Sequence, residues 1–223
     1  MQFFRILINA IFVAALCLSA SGQTPPAKDV PANEIRGVPP RAAPGDYQAH
    51  AAAGTVTIAA EFLGHSVPRL QGSPLITEDH IVVELGVFGP PEARLKIATG
   101  DFSLRVNERK APYPSQPFGM VFHALKDPDW EPPEPVEKSS KTAIKTGGQG
   151  GANSDPPAPV HMPLALQRII NQYVQKVALP EGDRPLPEAG LIFFPYHGKV
   201  ESIHSLELTY TGPAGAATLI LQP

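Results

Sequence analysis

The sequence predicts an all-β protein, an antiparallel sandwich of seven or eight short strands with one amphipathic helix and one long disordered insertion. Three observations predict it. Several separate segments alternate apolar and polar side chains with period two, as a half-buried strand requires, because successive side chains face opposite sides of a sheet. Gly and Pro clusters separate these segments at intervals typical of a sandwich. The 223 residues also include 27 Pro and 19 Gly, against roughly 5% Pro in an average protein. Proline fixes φ and lacks an amide donor, so such content implies long stretches that are neither helix nor central strand.

The chain opens with Met1–Arg5, a short start carrying one positive charge. Ile6–Leu18 follows as an apolar run broken only by Asn9, and Ser19, Ala20, Ser21 and Gly22 supply small residues. That order is the one a secretory signal peptide has. The run is about 13 residues, shorter than the ~20 that span a bilayer. Cleavage is expected after Gly22, with Ser21 as the other position and a retained anchor as the alternative. The destination is then periplasmic, cell-surface or secreted, with no membrane span after cleavage. Cys17 is the sole cysteine and lies inside the run, so the mature chain would have neither disulfide nor thiolate.

Gln23–Ala53 is rich in Pro and Ala without helical or strand periodicity, and reads as an extended tether. The expected sandwich occupies 54–223. Val56, Ile58, Ala60 and Phe62 form the apolar face of the first strand. His80–Phe88 is longer, with Ile81, Val83, Leu85 and Val87 on one side. Leu95 and Ile97, then Phe102, Leu104 and Val106, continue the alternation, and Phe118, Met120 and Phe122 predict another short strand. The insertion, 131–160, is poor in large apolar side chains and cannot offset its ordering entropy. Pro163–Ala178 then predicts the helix. Leu166, Ile169, Ile170, Tyr173, Val174 and Val177 recur there at 3.6-residue spacing. Gly190–Tyr196 is apolar on both faces, as for a strand covered on both sides. His204, Leu206, Leu208 and Tyr210 share the core side of the next strand, and Ala216–Gln222 closes the chain.

Two of these stretches carry a resemblance. Asp101–Tyr113 (DFSLRVNERKAPY) resembles the "F-x-L-x-D-x-x-G-x-x-Y" hairpin of immunoglobulin-like domains of unknown function on exported bacterial proteins and lipoproteins. Gly190–Pro195 with Ser205–Tyr210 resembles their closing "G-x-x-x-F-x-x-P … L-x-L-x-Y" pair. Asn107 and Arg109 replace the usual turn Asp and Gly, and the insertion is longer than usual. The resemblance implies an immunoglobulin-like β-sandwich outside the cytoplasm and brings no catalytic residue with it.

Little in the chain points to chemistry. Net charge is −3, without the clustered basic face of a nucleic-acid binder. No G-x-S-x-G elbow occurs, and sequence adjacency of His65 and Ser66 does not build a catalytic pair. Seven histidines, His50, His65, His80, His123, His161, His197 and His204, show neither H-x-x-x-H nor H-E-x-x-H spacing. His197 and His204 flank a turn between adjacent predicted strands, and are the candidate metal ligands. A hydrogen-bonded buried histidine is the competing reading of His204. Trp130, at the insertion's edge, reads as closing one end of the core, with a partner anchor as the alternative. The function expected is a non-enzymatic interaction or structural module without cofactor, its partner an unidentified protein or cell-envelope component. The alternatives are a periplasmic metal-binding protein using dispersed histidines, and a hydrolase with a dispersed site.

Overall fold

The computed structural model describes residues 37–132 and 162–223. The expected signal peptide, the first part of the expected tether and most of the expected insertion lie outside the described residues. Up to the insertion the strands are β1 (Ala49–Ala53), β2 (Val56–Phe62), β3 (Ser66–Val67), β4 (Leu75–Thr77), β5 (His80–Phe88), β6 (Arg94–Ile97), β7 (Phe102–Val106), β8 (Tyr113–Pro114) and β9 (Leu125–Lys126). After it come helix α1 (Leu164–Val177) and then β10 (Gly182–Pro185), β11 (Glu188–Pro195), β12 (Leu206–Gly212) and β13 (Gly215–Leu221). The described residues thus hold more strands than the seven or eight expected. The surplus includes β3, β8 and β9, two-residue pairings too short to show an alternation.

Two four-stranded antiparallel sheets carry the fold, ordered β1-β2-β5-β11 and β13-β12-β7-β8. They bury one core between them. Ile58, Ile81, Val83, Leu85, Ile192 and Phe194 come from the first sheet, and Phe102, Leu104, Leu206, Leu208, Tyr210 and Leu219 from the second. The far face of the first sheet is covered as well. There Val82, Leu191 and Phe193 pack on Ile170 and Val174 of α1, with Val67, Leu75, Val121 and Leu125 beside them. This double cover explains why β5 and β11 read as nearly unbroken apolar runs. Helix α1 has only Ile170 and Val174 fully buried, and Ile169, expected on the apolar stripe, is 62% exposed.

The described part of the expected tether is not a spacer. Residues 37–48 run across the far face of the first sheet, and Ala49–Ala53 pairs with β2 as its edge strand. The Gly37 amide donates to the Lys176 carbonyl at 2.7 Å and the Val38 amide to the Ala189 carbonyl at 3.0 Å. Gly37 has φ +91, and a Cβ there would meet the Ala189 oxygen at 2.2 Å, so glycine is required. Tyr47 lies over Gly86, where any Cβ would come within 2.7 Å of its ring. Alanines that show no amphipathic pattern sit in a strand because a partner supplies the ladder, which composition does not reveal.

Arg41 of this strap solves an electrostatic problem created by register. Glu61 of β2 faces Glu84 of β5 directly, and like charges opposite one another destabilise a sheet. The Arg41 guanidinium lies between them. It donates to both Glu84 oxygens at 3.3 and 3.0 Å, pairs with Glu61, and stacks 4.5 Å from the Tyr47 ring centre. Burial works against the Arg41 charge, but hydrogen bonds to Glu84 and Glu61 outweigh it and hold its pKa above the usual value.

The strand expected at Phe118–Phe122 is instead two short 3-10 turns, Phe118–Met120 and Phe122–Ala124. The two phenylalanine rings meet at 5.6 Å on one side. Apolar residues two apart were thus a signature of consecutive tight turns as well as of a strand. Trp130 is half-buried and belongs to neither core, so it does not close one.

Candidate functional site

His197 and His204, the candidate ligand pair, do not line the same cleft. His197 lines an open cleft of about 710 Å³ with His65, Glu78, Lys199 and Glu201, and His204 is not part of that lining. In His65, Nδ1 lies 2.6 Å from the His80 carbonyl and Nε2 3.1 Å from the Gly198 carbonyl. Both ring nitrogens face main-chain acceptors, so neither is directed into the cleft beside His197. Among the described residues, no group of three or more His, Cys, Asp or Glu is gathered closely enough to hold a metal ion. His204 is exposed, contrary to its expected core-side register, and Ile203 is buried in its place. A 3-10 turn at Val200–Ser202 precedes β12, which begins only at Leu206, so the period-two pattern does not extend back to His204.

The arrangement closest to a catalytic pair is Asp79–His80, with Asp79 Oδ1 2.5 Å from His80 Nδ1. His80 is buried, however, and its Nε2 is capped at 2.8 Å by the Gln116 side chain. A base needs its second nitrogen turned toward a reacting proton. Here it is spent on tying β5 to the 113–117 segment.

A different site emerges on the far side of the first sheet. A groove of about 450 Å³ runs between the strap, α1 and the loop joining β3 to β4. Its walls are Val38, Pro39, Pro68, Leu70, Tyr173, Val177 and Leu191, with Arg69 and Lys176 among the lining residues. The volume falls within the range of small-ligand and side-chain sites. Leu70 is 98% exposed.

The loop that carries Leu70 is held from below. Arg69 donates bidentately to Asp127 (3.0 and 3.0 Å), to Asp129 (3.0 Å) and to the Ser73 carbonyl (2.6 Å). This planar fork fits a carboxylate in a way no lysine could. The Ser73 amide returns a bond to Asp129 Oδ2 at 2.8 Å, and the Tyr173 hydroxyl donates to the Pro68 carbonyl at 2.5 Å. Hydrogen bonding to Asp127 raises the Arg69 pKa further. Hydrogen bonding from the Ser73 hydroxyl and amide, with the Arg69 charge, holds Asp129 below the ordinary carboxylate value of 3.8. Burial pushes the Tyr173 phenol up. What the site offers is an apolar surface of fixed shape.

Sequence reasoning missed this groove. Its one local signal was Leu70, a large apolar residue alone in the polar turn cluster P-R-L-Q-G-S-P, with D-P-D far downstream to receive Arg69. No protein-family model, curated protein or solved structure matches this chain.

Proposed function

We propose that this chain is an exported, non-enzymatic interaction module that receives a partner in the groove beside Leu70. The observation that carries the reading is a leucine 98% exposed on a loop whose base is fixed by four hydrogen bonds from one arginine. Exposure of one apolar side chain is ordinary. Exposure on an anchored loop, next to an apolar groove, is the geometry of an interaction surface. Export rests on the charged, apolar, small-residue order of the first 22 residues. Among the described residues no helix is long and apolar enough to cross a membrane.

The scaffold we read as an immunoglobulin-like sandwich in its layered architecture, supported by two antiparallel sheets that share a core. Its strand order is not that of antibody domains. The third long strand, β5, stays beside the second, whereas in antibody domains it changes sheet.

Photocrosslinking in the native cell tests the function. A crosslinking amino acid at position 70 or 169 should give a discrete adduct, and one at position 218, exposed on the second sheet, should give none. No adduct from 70, or the same adducts from all three positions, would overturn the proposal.

A further inference from the structure

We infer that the groove's occupant is a peptide segment bearing an apolar side chain close to a carboxylate; this rests on the reading of the groove as a partner site. Of the two cations lining the groove, Arg69 is already bound by Asp127 and Asp129. Lys176 is exposed and, among the described residues, makes no ion pair. Helix α1, LALQRIINQYVQKV, contains no acidic residue to quench it. The groove thus offers apolar walls and one ammonium with no carboxylate partner among the described residues.

The helix fixes how these features are spaced. Ile169, Tyr173 and Lys176 stand at i, i+4 and i+7, so they share one side of α1. At 1.5 Å rise per residue that side is about 10 Å long, the length of roughly three extended residues. An apolar side chain seated between Leu70 and Tyr173 therefore places a carboxylate one to four residues away within reach of Lys176. Concave walls suit an inserted side chain, where a bilayer would need a flat or convex face. Arg168, the other cation of α1, is not among the residues that line the groove.

Random twelve-residue peptides displayed on phage, panned against the full-length chain, test the inference. Winners are sorted by loss of binding to Leu70→Asp, which tests the groove itself. Leu70-dependent winners should carry Asp or Glu within four positions of a large apolar residue. Lys176→Gln should weaken them by about two- to fivefold, the worth of one exposed ion pair. Panning against Lys176→Glu should enrich Lys or Arg at the same positions instead. Leu70-dependent winners without acidic enrichment would overturn this inference and leave the groove reading intact. Absence of any Leu70-dependent winner would overturn both. Lys176-dependent binding to vesicles of phosphatidylglycerol and phosphatidylcholine, with no peptide selected, would replace the peptide by a membrane surface.

Discussion

Arg41 and Asn107 show how much of the fold is settled by single side chains. Replacing Arg41 by Ala leaves Glu61 and Glu84 opposed with no cation between them. Loss of one partner from a fully buried pair costs about 3–5 kcal/mol. Arg41 is 31% exposed, so solvent screening lowers the expected cost to about 2 kcal/mol. Urea denaturation should show that loss, and Glu61→Gln in the Arg41→Ala background should recover part of it. Asn107 and Glu108 both have positive φ, 51° and 56°, a conformation that Asn tolerates better than most residues. The Asn107 side chain accepts from the His204 amide at 2.7 Å and donates to the Ser202 carbonyl at 2.8 Å. The turn was legible in the sequence as a departure from the expected Asp and Gly, but its partners, ninety-odd residues away, were not. Asp129 supplies the pH-dependent case. Its pKa is lowered on folding, so its bond to Ser73 is present above the ordinary value of 3.8 and is lost as pH falls through the lowered value. The Ser73 amide proton shift should therefore titrate below pH 3.8, and Asp129→Asn should abolish that titration. A Ser73 midpoint above the ordinary value would contradict the clasp.

At the scale of elements, periodicity was legible wherever one partner layer decides the pattern. β2, β7 and β12 stand where alternation placed them, and β11, covered on both faces, stands where its unbroken apolar run did. It failed where a segment lacks a pattern of its own, as in alanine-rich β1, or where turns imitate a strand, as at Phe118–Phe122. Helix α1 shows a subtler limit. Ile169 and Ile170 are equally apolar in sequence, yet the first is 62% exposed and the second 4%. A 3.6-residue stripe can be read only to within one residue of its edge. Ile170→Ala should cost about 2–5 kcal/mol, and Ile169→Ala should change stability by no more than about 0.5 kcal/mol. Equal losses in thermal or urea unfolding would mean that Ile169 is core.

Across the described residues, the first sheet is the central layer, with the second sheet on one side and α1, the strap and the short strands on the other. The second sheet turns a largely polar face outward, where Arg105 pairs with Glu207 at 3.1 Å and Ile220 is the large apolar residue left exposed. The opposite side is where an anchored loop holds Leu70 against an apolar groove. The layered β core was legible because burial imposes a period. The groove was not, because its walls come from the strap, the helix and a loop, with more than a hundred residues between the first and the last. The account depends on Leu70 serving a partner and having no part in holding the fold together. Equilibrium unfolding and in-cell crosslinking of one Leu70→Asp variant, with the crosslinker at position 169, measure both at once. Unfolding free energy should stay within about 0.5 kcal/mol of the parent while the position-169 adduct disappears. A loss of stability of about 2 kcal/mol or more, or an undiminished adduct, would contradict it.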